Sequence, residues 1–218
     1  MPPRQEPPVL VAPDSFKGTI RAAEVAGAVG RGLERAGLVP PDLCPVADGG
    51  EGTLDALLPA LGGELLAADA HDPLGRPIRA HIALLEDGGT ALVEVAAASG
   101  LALVAPEERD PERATTYGTG ELIAAAVEAG AAVVLVAAGG SATVDGGSGA
   151  LAAIRERGGL RGSRVVVLCD VKTPWERAAA VYGPQKGADP AAVERLSAKL
   201  DALADGLPRD PRGVPMTG

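Results

Sequence analysis

The chain has 218 residues, of which 46% are hydrophobic and 2% aromatic, and its formal net charge is −9. This length suits one large or two small domains, and an acidic chain without a basic tract is not expected to bind nucleic acid. Two cysteines are too few for a disulfide framework, and with neither an apolar leader nor a membrane-length apolar run we expect a cytoplasmic protein that does not bind membranes.

The first sixty residues alternate short apolar segments with helical patterns. Strands are predicted at 9–12 and 43–47, and a helix over about 20–36 has Val25, Val29 and Leu33 as its apolar face. A leucine-rich helix follows the second strand and ends at Gly62. Polar residues follow each strand: Asp14, Ser15 and Lys17 after the first, Asp48 and Glu51 after the second. This β-α-β-α order predicts a parallel sheet.

The pattern changes after residue 62. Residues 76–84 alternate in polarity and predict a half-exposed antiparallel strand, which a turn joins to a strand at 90–95. Helical segments near 121–129, 150–157 and 190–205 then alternate with apolar strands at 131–138 and 165–168. We therefore expect two α/β units, an N-terminal one over 1–62 and a second one with a mixed sheet over 63–218.

The most informative segment is the turn that follows the strand at 131–138. It contains Gly139, Gly140, Ser141, Thr143 and Asp145. Glycines let backbone N–H groups approach an anion, and in α/β domains such turns build ligand sites at the carboxyl edge of the sheet. The alternative is that the glycines form only a tight strand–helix turn. The repetition of polar, glycine-flanked residues after other strands favours a ligand site.

The candidate residues have simpler explanations when each is considered alone. Asp14 or Asp48 could cap a helix, and Lys17 or Lys186 could be a surface charge. Together, several aspartates, hydroxyls and lysines beside glycine-rich turns fit phosphoryl transfer, in which carboxylates hold Mg²⁺ and lysines neutralise phosphate. The chain lacks the P-loop, dinucleotide-binding and nucleophile-elbow motifs. These residues alone indicate an α/β enzyme that handles phosphate or carboxylate groups, and no narrower class.

Seven segments resemble the bacterial type I glycerate kinases and occur in that family's order. They are VAPDSFKGT at 11–19, PVADGGEGT at 45–53, AAASGL at 96–101, TYGTGELI at 116–123, GGSAT at 139–143, CDV at 169–171 and YGPQKGA at 182–188. The resemblance implies an ATP- and Mg²⁺-dependent kinase that phosphorylates D-glycerate at the 2-hydroxyl. It also implies a flavodoxin-like domain into which a second α/β domain is inserted, with the site in the cleft between them.

The resemblance and the residue chemistry together give a set of candidate site residues. Asp48 is the first candidate for the general base or a metal ligand. The catalytic candidates are Asp48, Lys17, Asp145 and Asp170, and Asp48, Asp145 and Asp170 are also the candidate Mg²⁺ ligands. The expected substrate- and phosphate-binding residues are Asp14, Ser15, Glu51, Gly139, Gly140, Ser141, Thr143, Gln185 and Lys186.

The chain departs from the family pattern in three places. Val144 stands where the family usually has Asn, the segment between Gly159 and Val165 is shorter, and the family continues beyond the position of Gly218 into a portion that completes the first domain. Two alternatives therefore stay open: a truncated, inactive fragment, or a kinase for a related small hydroxy acid. The sequence also leaves open phosphorylation at the 3-hydroxyl and the formation of a homo-oligomer.

Overall fold

The computed structural model describes residues 7–16 and 19–218, and it shows a mixed α/β architecture. The strands in the described residues are β1 (Leu10–Val11), β2 (Asp42–Leu43), β3 (Gly63–His71), β4 (Pro77–Leu85), β5 (Thr90–Glu94), β6 (Val133–Ala137) and β7 (Arg164–Leu168). The α-helices in this part of the chain are α1 (Ala22–Arg35), α2 (Thr53–Leu61), α3 (Ala96–Ser99), α4 (Tyr117–Glu128), α5 (Ser148–Glu156), α6 (Ala178–Tyr182) and α7 (Pro190–Asp205). Short 3₁₀ turns complete the connections.

The N-terminal part contains a small parallel sheet, as the β-α-β pattern predicts. Strands β1 and β2 pair in parallel, with Leu10 opposite Asp42 and Val11 opposite Leu43. The predicted apolar face of α1 is only partly buried: Val25 and Leu33 are half-buried and Val29 is 45% exposed, whereas Ala22, Ala26 and Gly30 are buried. The small residues let α1 approach the sheet closely, and two short strands do not extend far enough to cover Val29 as well.

Strands β3 to β7 form a mixed sheet in the order β3-β4-β5-β6-β7. The β3-β4 and β4-β5 pairs are antiparallel, and the β5-β6 and β6-β7 pairs are parallel. Strand β6, which precedes the glycine-rich turn, therefore lies between two parallel neighbours. The carboxyl ends of β5, β6 and β7 meet at one edge of the sheet, and this edge carries the turn.

Two helices cover opposite faces of the five-stranded sheet. Ile82 and Ala83 are consecutive in β4, so their side chains point to opposite faces. Ile82 belongs to the core beneath α4, whereas Ala83 belongs to the apolar cluster that contains Leu54 of α2. Helix α2 thus packs on the five-stranded sheet. How the chain divides into domains near residue 62 stays a prediction.

The N-terminal part leaves several apolar side chains in contact with solvent. Val9, Leu10, Leu43 and Val46 on and around β1 and β2 are each more than 40% exposed. These apolar side chains are exposed because the two-stranded sheet is too small to bury both of its faces and both of its edges. Among the residues that the structure describes, no helix combines the length and the hydrophobicity needed to cross a membrane.

Candidate active site

A cleft of about 850 Å³ separates the N-terminal part from the five-stranded sheet. Four of the predicted site residues line it: Asp14, Ser15, Glu51 and Gly140. Asp14 and Ser15 reach it from the loop after β1, Glu51 from the loop after β2, and Gly140 from the turn after β6. The carboxyl ends of strands in both sheets therefore contribute to one cavity, as expected of ligand sites in α/β proteins.

The loop between β2 and α2 lies directly on the glycine-rich turn. The Gly139 N–H donates a hydrogen bond of 2.8 Å to the Gly49 carbonyl, and a Cβ atom on Gly139 would lie 2.6 Å from Gly50 Cα. Only glycine at position 139 allows this close approach. Asp48 stands at the start of the loop, half-buried, and its Oδ1 accepts the Gly50 N–H at 2.8 Å.

The loop after β1 contributes the exposed carboxylate of Asp14, whose Oδ1 accepts the Ser15 N–H at 2.6 Å. Lys17, the predicted lysine of this loop, lies outside the described residues. Cationic groups that line the cleft include Arg21, which forms a solvent-exposed ion pair of 3.1 Å with Asp55, and Arg79. These arginines are available to contact an anionic ligand because both are largely exposed.

Three other predicted residues form a separate buried group. Lys186 is 7% exposed, and its Nζ donates to Ser141 Oγ at 2.8 Å and to the Thr143 carbonyl at 2.6 Å. Burial lowers the pKa of Lys186 to about 8, and the nearby Asp145 carboxylate acts in the opposite direction. The ammonium therefore ties the segment 182–188 to the turn after β6, and it does not line the cleft.

Asp145 is buried and its carboxylate accepts several hydrogen bonds. Oδ2 accepts the Thr116 N–H at 2.9 Å, the Thr116 hydroxyl at 2.8 Å and the Gly149 N–H at 3.2 Å, and Oδ1 accepts the Gly147 N–H at 3.1 Å. These donors come from the starts of α4 and α5. The side chain thus holds two helix N-termini together, which leaves few oxygen lone pairs for a metal ion.

Asp170 and Gln185 are exposed, and neither lines the cleft. Asp170 leaves the sheet at the site edge, because it follows β7 by two residues and Gly49 lies against the carbonyl of Leu168. Gln185 belongs to the 3₁₀ turn Pro184–Lys186. The structure therefore gathers Asp14, Ser15, Glu51 and Gly140 in the cleft, places Asp48 beside it, and separates Asp145, Lys186 and Gln185 from it.

Sequence reasoning missed two polar residues that support the site. Glu94, the last residue of β5, lines the cleft and is 8% exposed, and Thr116 is the partner of Asp145. The signal for Glu94 was a single carboxylate within the apolar segment 91–98. Among the described residues, no three or more His, Cys, Asp or Glu side chains are grouped in a way that could hold a metal ion.

Comparisons with known proteins agree with the motifs. The model of the glycerate kinase family matches residues 9–159 and 155–214. The chain is 40% identical to a glycerate kinase of Haemophilus influenzae over 92% of its length and 62% of the relative's. It is 36% identical to the glycerate 2-kinase of Escherichia coli over 96% of its length and 65% of the relative's.

A crystal structure from Salmonella typhimurium LT2, described as glycerate kinase 2, superimposes with a TM-score of 0.79 at 35% identity. It covers 97% of this chain, which in turn covers 66% of the crystallised one. The chain thus spans about 60 to 65% of the length of the curated relatives that it matches. Because the family model covers nearly the whole chain and the fold agrees with a solved relative, this protein belongs to the glycerate kinase family.

Proposed function

We propose that this protein transfers a phosphoryl group from ATP to the 2-hydroxyl of D-glycerate and so forms 2-phosphoglycerate. The observation that carries the proposal is the contact between the Asp48–Thr53 loop and Gly139 at the cleft of about 850 Å³. Two glycine-rich segments, each following a parallel strand, meet there beside exposed carboxylates. A family of kinases named for glycerate supplies the substrate.

In the proposed reaction, the Asp48 carboxylate accepts the proton of the 2-hydroxyl as that oxygen attacks the terminal phosphate, the bond from this phosphorus to the bridging oxygen breaks, and ADP leaves. A carboxylate placed within hydrogen-bond reach of the attacking hydroxyl is the usual general base of small-molecule phosphoryl transfer. Ser15 and the glycine-rich turn would orient glycerate. Arg21 and Lys17 would contact its carboxylate or the phosphate oxygens, because an acidic cleft binds anions only beside local positive charge.

The carboxylates in and beside the cleft suit Mg²⁺ as the cation. Mg²⁺ is usually held by one or two protein carboxylates and completes its shell with water and nucleotide phosphates. The cleft fits this mode, since it offers Asp14 and Glu51, with Asp48 beside it, and the described residues form no cage of three or more ligands. When bound with ATP, Mg²⁺ neutralises charge on the transferring phosphate. Asp14 and Glu51 are the residues that we expect to hold it, with Asp48 as the alternative ligand if it is not the base.

The exposed apolar side chains around β1 and β2 favour a second candidate function. In this alternative, the chain binds its ligands but does not turn them over until further polypeptide covers these strands. Val9, Leu10 and Leu43 would be buried by that addition. A third alternative, a kinase for a related small hydroxy acid, uses the same residues and differs only in substrate.

A coupled assay of the 218-residue chain with ATP, Mg²⁺ and D-glycerate tests the proposal. Turnover with D-glycerate, and a ³¹P NMR spectrum of 2-phosphoglycerate, would support it. A product phosphorylated at the 3-hydroxyl would change the assigned position, and faster turnover of lactate or tartronate would support the third alternative. Binding of Mg·ATP in isothermal titration calorimetry without turnover would instead support the second candidate.

A further inference from the structure

Glu94 is a buried carboxylate that the proposed chemistry does not use. It ends β5 in the interior of the five-stranded sheet, opposite Ala137 of β6, and only 8% of its surface is exposed. Burying a carboxylate costs free energy unless its oxygens find hydrogen-bond donors. The partners of Glu94 therefore indicate why a charged residue stands in an otherwise apolar strand.

The donors come from the N-terminus of α2. The Leu54 N–H donates to Glu94 Oε1 at 2.7 Å, and the Gly52 N–H also hydrogen-bonds to the carboxylate. Helix α2 begins after Gly52, which has no side chain with which to accept the first N–H groups. A strand residue forty positions later in the sequence thus supplies the cap that α2 lacks locally. The negative charge is also favourable at this positive end of the helix dipole.

The capped helix start is continuous with the loop that carries Asp48 and Glu51. This loop is attached to the sheet edge at two points: the Gly139 N–H binds the Gly49 carbonyl, and Glu94 binds the N–H groups of Gly52 and Leu54. Glu51 lies between the two attachments, and Asp48 directly precedes them. Loss of either attachment would let the loop move relative to the cleft.

We propose that Glu94 is a positioning residue that holds the loop 48–52 on the edge of the five-stranded sheet and so fixes Glu51 in the cleft and Asp48 beside it. The effect of Glu94 on catalysis rests on the proposed function, whereas the attachment of the loop by Glu94 does not. Burial raises the pKa of Glu94, the Leu54 N–H opposes this, and the charge of Asp55 adds to it. A glutamine has nearly the same shape and keeps an acceptor oxygen, so Glu94→Gln separates the contribution of this hydrogen bond from that of the charge.

Hydrogen–deuterium exchange tests the hold directly. The variants are Glu94→Leu, which removes the acceptor, Glu94→Gln, which keeps it, and the control Leu85→Ala, which weakens the apolar contact beneath α2 without touching the bond. We expect the amides of 52–56 to exchange roughly tenfold faster in Glu94→Leu, as the loss of a helix cap predicts. Exchange there should stay close to the wild-type rate in Glu94→Gln, and it should rise less in Leu85→Ala than in Glu94→Leu.

Steady-state kinetics then test the consequence. In Glu94→Leu we expect kcat to fall by roughly tenfold or more with little change in KM for D-glycerate, because a displaced base slows the chemical step more than binding. Glu94→Gln should restore kcat. Equal exchange at 52–56 in Glu94→Leu and Leu85→Ala would overturn the proposal, as would an unchanged kcat. If the wild-type chain shows no turnover, the proposed function fails and the exchange result alone decides the role of Glu94.

Discussion

The Lys186 ammonium lies 2.6 Å from the main-chain carbonyl of Thr143 and joins two segments that are 43 residues apart in sequence. Its second partner is Ser141 Oγ at 2.8 Å. Both partners are neutral, so the charge is buried without a carboxylate in direct contact, and burial lowers its pKa to about 8. Lys186 therefore links the segment 182–188 to the turn after β6, and its buried ammonium can lose a proton as the pH rises.

We predict that the stabilising contribution of Lys186 rises with pH. Below pH 8 the lysine is protonated in both the folded and the unfolded chain, and the folded state bears the full cost of the buried charge. Between pH 8 and 10.5 the folded state releases the proton first, so the free energy of unfolding increases. The increase should reach about 3 kcal/mol relative to Lys186→Met. Urea unfolding of both proteins from pH 7 to 10.5 measures it.

The control for this measurement is Lys199→Met, because Lys199 is exposed on α7. The difference between the wild type and this variant should stay flat over the same pH range. If the wild type and Lys186→Met also keep a constant difference in free energy of unfolding, the ammonium is not buried as the structure describes.

Asp145 offers a test between a structural role and metal binding. If its carboxylate serves mainly to accept N–H and O–H donors from Thr116, Gly147 and Gly149, Asp145→Ala should leave several buried donors unpaired. We predict a loss of about 3 kcal/mol or more in the free energy of unfolding, at about 1–3 kcal/mol for each orphaned group. Chemical denaturation without Mg²⁺ measures this loss.

The matched control is Asp170→Asn, since Asp170 is exposed at the same sheet edge and should change stability by less than about 0.5 kcal/mol. A stable Asp145→Ala protein whose affinity for Mg·ATP has collapsed would contradict the structural role and restore Asp145 as a metal ligand.

Strand β4 was predicted at 76–84 and lies at Pro77–Leu85, so the sequence located this antiparallel strand as well as it located β6 and β7. Strands β6 and β7 are short apolar runs that end at Gly139 and at Asp170, and this boundary signal is strong. Strand β3 was missed, because Gly63–His71 consists largely of Ala and Leu and lacks the β-branched and aromatic residues that favour strands. Its place in the sheet comes from nine residue pairs with β4, which sequence reasoning did not anticipate.

Helix α4 begins at Tyr117, four residues before the predicted start near Glu121. Gly118 and Gly120 precede that predicted start. Both lie inside the helix, because a side chain at either position would meet the backbone of His71 or Ala150. The glycines serve close packing, and that role depends on elements distant in sequence.

In the candidate site, too, local spacing identified residues near strand ends, whereas contacts between residues distant in sequence could not be predicted. Asp14, Ser15 and Glu51 each follow a strand end and line one cavity, and their role in binding or catalysis stays a prediction. Local sequence does not distinguish these cleft residues from Asp145, since the donors that occupy the Asp145 carboxylate belong partly to Thr116, 29 positions earlier. Local spacing shows which residues lie near a strand end but not which way each side chain points.

Gly139 should not tolerate a side chain. In Gly139→Ala the new Cβ would lie 2.6 Å from Gly50 Cα, so the loop 48–52 must move away from the sheet. We predict a loss of about 1–3 kcal/mol in the free energy of unfolding. If the chain turns over D-glycerate, kcat/KM for this substrate should also fall.

The matched control for Gly139→Ala is Gly32→Ala, since Gly32 lies in α1 with no atom near its Cβ position, and alanine there should be neutral or stabilising. A Gly139→Ala protein as stable as this control would contradict the close contact.

Asp48→Asn tests the proposed base, because the amide keeps the size of the side chain but cannot take up the proton. We predict that kcat falls by roughly 10²–10⁴-fold, as expected for the removal of a general base, while KM for D-glycerate changes little. Steady-state kinetics at saturating Mg·ATP measure both constants. Asp42→Asn is the control, since Asp42 is an exposed residue of β2 outside the cleft, and the kcat of this variant should equal that of the wild type.

A large rise in the Mg²⁺ concentration needed for half-maximal rate, with kcat restored at high Mg²⁺, would assign Asp48 to the cation. A near-normal kcat at every Mg²⁺ concentration would remove Asp48 from both roles and leave Asp14 and Glu51 as the carboxylates of the cleft to test next.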